Sequence, residues 1–422
     1  MDERLVTLAT FAFCLLALPA RGPAQSRSGA GQGSAAAPRL PVPAGRFGIG
    51  RIGFDLTDAA RADRYTADPH ARRELMVWLW YPADQRDPDL RGVYLPGARQ
   101  MEANAETRQS EQREFEAAWP FIASGAVFSH AVENAKPARS PKRFPVILLS
   151  HGLGGTGFEY TALIEDLVSR GYVVAAIEHT GVARLVYFPD GRLIPEHHDP
   201  PQPGLSRDEQ FKRMVASATA MMVEGAADVR FVLDRLTDLN SGARKQFPLA
   251  GRLDFDRVVA AGHSAGAEFA ARACELDARF KACIDLDGAM VPLAALPEFS
   301  DGATVKQPLL FLEAYDPESR MFGTHEQHQE FFRKKEAQLA ACAPGSYDVT
   351  LHSAGMFHGS FSDYPLLVAA DSQATTTALH NLDLVESFVR AFLSKTFKQT
   401  AEPLLDDPHA HPSDADVRPL GH

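Results

Sequence analysis

Cysteine is scarce in this chain, with four residues in 422. One of them, Cys14, sits in an apolar leader. The other three, Cys274, Cys283 and Cys342, are odd in number, and no CxxC or Cys/His cluster has metal-ligand spacing. That excludes a full disulfide framework and a thiolate metal site. The three read as small buried hydrophobes. Positive charge is also in short supply. A formal net charge of -11 argues against a nucleic-acid partner, which needs a basic surface. Membrane-length apolar runs are missing as well. The run Leu5–Leu18 in "MDERLVTLATFAFCLLALPARGPAQS" falls short of the roughly 20 residues a span requires. Small residues follow it, and its length suits a signal-peptide core, so residues 1–24 are expected to be a signal peptide and the mature chain secreted or periplasmic.

What is present is a regular alternation. Residues 25–44 are rich in Gly, Ala, Ser and Pro and predict a flexible linker. Residues 399–422, acidic and without periodicity, predict a disordered tail. Between them, "RFPVILLS" (Arg143–Ser150) and "YVVAAIEH" (Tyr172–His179) predict buried strands. They flank an amphipathic helix over Phe158–Gly171. Further strands are expected at Arg73–Ala83, Arg257–Ala261, Lys281–Asp287, Gln307–Asp316 and Tyr347–Ser353. Helices are expected over Ser217–Leu239, Ala265–Leu276 and the "NLDLVESFVRAFLSKTF" segment. Short apolar strands alternating with helices imply a mostly parallel, doubly wound α/β sheet in one domain over residues 45–398. The stretches Val93–Ser140 and Tyr187–Asp208 interrupt the alternation as insertions. In the first, the aromatic-rich Phe115–His130 reads equally as a lid or as packed core.

The stretch that carries chemistry is "VVAAGHSAGAEFA". Gly262 and Gly266 flank Ser264 between a predicted strand and helix, the setting in which a strained turn exposes a nucleophilic serine. Such a serine needs a base. Among the downstream histidines, His325 and His328 fall in a polar helical stretch, His352 inside a strand and His380 near the last helix. His358 follows a strand in "SAGMFHGSF", at the sheet edge where catalytic groups gather. The base needs an acid to hold its tautomer. Asp287 and Asp316 both end strands before His358, and spacing does not separate them; Asp285 lies deeper. An oxyanion site needs two backbone N–H groups. Ala265, next to the serine, supplies one, and the loop "SHGLGGTG" after an earlier strand supplies the other. That loop matches neither G-x-G-x-x-G nor G-x-x-x-x-G-K-[ST], so it is not read as a phosphate cradle. His151 and His263 are expected to shape their loops. The adjacent histidines of "EHHDPP" lie in a Pro-rich loop and are not expected to bind metal.

The segments "SHGLGG", "VVAAIEH", "GHSAGA", "DLDGAMVP" and "HGSFSDY" together resemble the plasma-type platelet-activating-factor acetylhydrolase family. The resemblance runs from about Gly45 to Phe397. It implies an α/β-hydrolase fold and carboxylic ester hydrolysis by a Ser264–His358–Asp287 triad. It favours Asp287 over Asp316 and makes Leu153 and Ala265 the oxyanion donors. Ala265 departs from the bulkier residue often found after the nucleophile. The implied substrates are small esters or phospholipids with short or oxidised acyl chains, with peripheral contact to a lipid surface and no cofactor or metal. The same fold also carries lactonases of the dienelactone-hydrolase kind, peptidases, acyltransferases and non-catalytic binding proteins.

Overall fold

A computed structural model describes residues 36–66, 68–84, 88–198, 202–242, 247–288, 305–315 and 325–421. The expected signal peptide over 1–24 and the alternative acid Asp316 lie outside the described residues. Among the described residues no helix is long and apolar enough to cross a membrane.

The strands in chain order are β1 (Gly48–Ala62), β2 (Arg72–Ala83), β3 (Arg91–Val93), β4 (Phe128–Glu133), β5 (Phe144–Ser150), β6 (Val173–Glu178), β7 (Leu185–Tyr187), β8 (Leu193–Pro195), β9 (Leu253–His263), β10 (Ala282–Leu286), β11 (Leu309–Ala314), β12 (Ser346–Leu351) and β13 (Ala415–Leu420). The helices used below are α1 (Ala98–Ala103), α2 (Ala105–Phe115), α3 (Trp119–Ser124), α4 (Thr161–Ser169), α5 (Arg207–Asn240), α6 (Ala265–Leu276), α7 (His325–Ala340), α8 (Tyr364–Leu367) and α9 (Ser372–Lys398).

One sheet runs in the order β13-β12-β11-β10-β9-β5-β6-β2-β1-β4-β3, and β7 and β8 pair separately. From β6 through β5, β9, β10 and β11 to β12 every neighbour is parallel. β2 runs antiparallel to both β6 and β1. The alternation of side chains on β5 divides the core. Ile147 and Leu149 pack with Leu163, Val385 and Phe388 on one face. Val146 and Leu148 pack with Val232, Leu233 and Phe269 on the other. Helices α4 and α9 thus cover one face and α5 and α6 the opposite one, which is why the inner strands read as continuous apolar runs. The winding direction reverses at β5/β9, and the crevice outside the carboxyl ends there is where such sheets bind ligands.

Two segments differ from the sequence expectation. Residues 415–420 are not an unstructured tail; they form β13, antiparallel to β12. Arg418 reaches Asp348 (2.6 Å) and Glu336 (2.7 Å) from that edge, so ion pairs stand in for an apolar signal. Leu40 is buried, which packs the end of the 25–44 segment onto the core. The aromatic stretch of the Val93–Ser140 insertion packs inward, one of its two expected readings. Phe115, Trp119 and Ile122 are buried in the main core, and β4 lies parallel to β1.

Candidate active site

Ser264 occupies the single residue between β9 and α6, at φ 55° and ψ -125°. A non-glycine residue held there costs on the order of 1–3 kcal/mol and persists only when its surroundings impose it. The surroundings are close. A Cβ on Gly262 would stand 2.1 Å from the Gly266 carbonyl oxygen, and one on Gly266 would stand 2.3 Å from that of Ser150. Both flanks must therefore be glycine. Ser264 N–H donates to Leu286 O (3.0 Å) and its carbonyl accepts from Ala267 (3.0 Å). Although Ser264 sits at the N-cap of α6, its hydroxyl caps no helix N–H. The side chain is half-buried at the crevice.

Asp287 follows β10, also in the left-handed region at φ 52°, a conformation Asp and Asn tolerate better than most residues. Its N–H donates to Leu312 O (2.7 Å). One carboxylate oxygen accepts the Ala314 N–H (2.8 Å) at the end of β11. The other meets His358 Nδ1 at 2.6 Å. His358 begins the short turn that leads from β12 toward α8. With Nδ1 on Asp287, its Nε2 has no partner among the described residues, and neither does the Ser264 hydroxyl. His263, next to Ser264 in the chain, has its ring 4.5 Å from that of His358.

The loop after β5 closes the site. A Cβ on Gly152 would stand 3.2 Å from the Ser264 Cβ. Gly152 N–H donates to Tyr160 Oη (3.2 Å), Gly154 N–H to Val182 O and Gly155 N–H to Gly152 O (3.0 Å each). The N–H of Leu153 is left without a partner among the described residues. Ala265 N–H is one of the donors that every helix N-terminus leaves unpaired. Among the described residues the two expected oxyanion donors are therefore both without a partner.

His151 fixes the plane of the Gly152–Leu153 peptide. Its Nδ1 lies 2.7 Å from Gly152 O, which can only accept, while its Nε2 takes the His179 N–H (3.1 Å). The ring is thus the Nδ1–H tautomer, and burial with His179 alongside lowers its pKa to about 3. Beneath it, His179 Nδ1 meets Asp228 (3.0 Å) and its Nε2 meets Ser150 Oγ (2.9 Å). Asp228 is paired in turn with Arg73 at 2.6 Å. Ser150, His179 and Asp228 form a second Ser–His–Asp arrangement, but all three are fully buried. No substrate reaches it; it is scaffolding under the loop after β5. Burial of its carboxylate is outweighed by Arg73 and His179, which hold Asp228 far below the usual range.

Arg184 joins the insertion to this loop. It donates to Gly154 O (2.7 Å), Glu111 of α2 (2.8 Å) and Glu159 (3.0 Å). Arg184, Asp228 and Tyr160 were absent from the sequence reading because their partners lie far along the chain. The other histidines serve elsewhere. His380 holds Asp414 (2.8 Å) and His352 lies 3.6 Å from Asp416, docking β13. His325 and His328 stand at the start of α7. Asp285 is buried, accepts the Gly288 N–H (2.7 Å), and burial pushes its pKa up to about 7. The three described cysteines are free and buried. Among the described residues no group of three or more His, Cys, Asp or Glu could hold a metal ion.

A mainly parallel sheet in this strand order, with a strained serine at the strand-to-helix turn beside its topological switch, is an α/β-hydrolase fold. The chain belongs to the family described as platelet-activating factor acetylhydrolase, isoform II, whose family model matches residues 33–377. Among curated relatives it is similar to platelet-activating factor acetylhydrolase of Canis lupus familiaris, 28% identical over 207 residues (45% of this chain, 44% of the relative). It is also similar to that of Cavia porcellus, 27% over 251 residues (56% and 54%). The chain spans about half the length of the curated relatives it matches. Among solved structures it resembles a ferulic acid esterase from Streptomyces cinnamoneus, with TM-score 0.64 and 28% identity, covering 90% of this chain and 99% of that one.

Proposed function

We propose that this chain hydrolyses carboxylic esters through an acyl-enzyme on Ser264. The observation that carries the reading is the strained Ser264 (φ 55°) beside a His358–Asp287 pair at 2.6 Å. His358 Nε2 takes the Ser264 proton as Oγ attacks the ester carbonyl. The oxyanion that forms is received by the N–H groups of Leu153 and Ala265. As the intermediate collapses, His358 passes the proton to the leaving alcohol. Water then repeats the sequence, with His358 as base, and releases the acid and free Ser264. Asp287 holds the Nδ1–H tautomer throughout. The chemistry needs no metal or organic cofactor.

The family supports esters of the platelet-activating-factor kind, phospholipids with short or oxidised acyl chains. Phe357 and Tyr315, exposed by 45% and 56% beside His358 and the end of β11, give the crevice an apolar rim suited to such a substrate and to peripheral contact with lipid. The leader Leu5–Leu18 supports export. A series of p-nitrophenyl esters from acetyl to palmitoyl, run beside a short-acyl phosphatidylcholine, tests the substrate. We expect turnover to fall steeply beyond short acyl chains and the phospholipid to be cleaved. Preference for a lactone or amide over every ester would replace this reading with a lactonase or peptidase.

A further inference from the structure

Two side chains that touch no reacting atom tie three parts of the site together. Tyr160 closes the turn after the oxyanion loop and His263 immediately precedes Ser264; their exposures are 2% and 6%. Gly152 N–H donates to Tyr160 Oη (3.2 Å), and Tyr160 Oη lies 2.8 Å from His263 Nδ1. His263 Nε2 lies 3.0 Å from the carbonyl oxygen of His358.

The direction of every bond in this chain is fixed. A carbonyl oxygen only accepts, so His263 Nε2 carries the proton. In a neutral imidazole Nδ1 then accepts, so the Tyr160 hydroxyl must donate to it. The hydroxyl oxygen remains free to accept from Gly152. No member can be reversed without breaking another, which makes the chain a rigid strut rather than a set of alternatives. It starts on the loop that carries Leu153 N–H, crosses the residue adjoining Ser264 and ends on the backbone of His358. The ring of Phe361 stacks near that of His263, 5.8 Å away at 24° between planes. Burial holds His263 far below its ordinary pKa, with His358 alongside adding to the effect, and keeps the Tyr160 phenol protonated. The strut therefore stays neutral and intact over the working range.

We propose that Tyr160 and His263 are positioning residues that set the spacing between the oxyanion loop, Ser264 and His358. The inference rests on the acyl-enzyme reading above. Binding of the ester uses the crevice walls, whereas the reaction needs the three parts in register, and small misplacements there cost rate rather than affinity. Tyr160→Phe removes the hydroxyl and leaves the ring packing in place. His263→Gln keeps a donor toward His358 O, whereas His263→Leu keeps none.

The test is kcat per serine titrated with a fluorophosphonate, which counts only folded, competent sites, with KM measured alongside. Tyr160→Phe is expected to lower kcat per titrated site about ten- to a hundredfold, with KM within about twofold. His263→Gln is expected to retain at least about tenfold more of it than His263→Leu. Wild-type kcat per titrated site in Tyr160→Phe would mean that the hydroxyl positions nothing, and that result overturns the proposal. Should Tyr160→Phe not fold, equal kcat in the two His263 variants overturns it alone. Ser264→Ala separates the two levels. If it stays active the acyl-enzyme reading fails, and if it is dead while Tyr160→Phe is unaffected only the strut fails.

Discussion

Replacing Asp287 by asparagine should nearly abolish activity while leaving the fold intact, and the geometry says why. The side chain has two oxygens, one accepting Ala314 N–H at 2.8 Å and one facing His358 Nδ1 at 2.6 Å. A backbone N–H can only donate, so an asparagine must turn its oxygen toward Ala314. Its NH2 then faces His358, whose Nδ1 has to become the acceptor. The imidazole proton moves to Nε2, the atom that must receive the proton of Ser264. A wrong tautomer in a Ser–His–Asp site costs about 10⁴-fold in kcat, or about 5.4 kcal/mol of transition-state stabilisation. Stability should change by less than about 1 kcal/mol, because asparagine keeps the Ala314 bond and tolerates the left-handed backbone at φ 52°. Asp287→Ala loses both and should cost roughly 2–4 kcal/mol in addition to the activity. The assay is steady-state hydrolysis of p-nitrophenyl acetate with urea unfolding of each variant, and Asp316→Asn as comparison. Asp287→Asn retaining more than about a tenth of wild-type kcat would refute the tautomer argument. Retention there with loss in Asp316→Asn would move the acid to Asp316.

Gly266→Ala drives a methyl to 2.3 Å from Ser150 O and should destabilise by about 3 kcal/mol or more, with a loss of kcat; urea titration checks it. Gly191→Ala meets nothing within 4 Å at φ 92° and should cost only about 1 kcal/mol, without affecting kcat. Glu178 is buried, one of its oxygens has no partner among the described residues, and burial raises its pKa from 4.5 to about 8. The folded state then holds a proton that the unfolded chain has lost, so this residue's contribution to stability falls as pH rises from about 4.5 to 8. Glu178→Gln should remove that fall, gaining on wild type by at most about 5 kcal/mol between pH 5 and pH 9. An equal difference at both pH values, measured by urea unfolding, would contradict it.

The parallel half of the sheet was legible because buried parallel strands are apolar on both faces, and "RFPVILLS" and "YVVAAIEH" carry that mark without ambiguity. Of the antiparallel wing, β2 was expected over Arg73–Ala83, but β1 was not. β1 contains Arg51, fully buried yet cationic, which donates to Glu133 and Val93 O and lies 5.6 Å from the rings of Trp78 and Trp80. Hydropathy reads such a residue as surface. β13 escaped for the same reason, since Arg418 secures an edge strand with few apolar residues. At the site, Ser264 could be read from its glycines because the clash they avoid is local. The pairing of His358 with Asp287 could not be read from spacing, because it depends on β10 and β11 lying side by side and on the Ala314 N–H that holds the Asp287 carboxylate. The struts through His151 and Tyr160 are likewise set by tertiary neighbours, although the placement of His151 and His263 beside the two loops already marked them as loop-shaping residues.

The central claim is that Ser264 is the nucleophile, and covalent labelling tests it most directly. Incubation of the folded chain with a fluorophosphonate, followed by peptide mass spectrometry, should place one adduct on Ser264, with activity lost in step. Ser264→Ala should give no adduct and no hydrolysis. An unlabelled Ser264 in active protein, or a Ser264→Ala variant that still cleaves esters, would contradict the account.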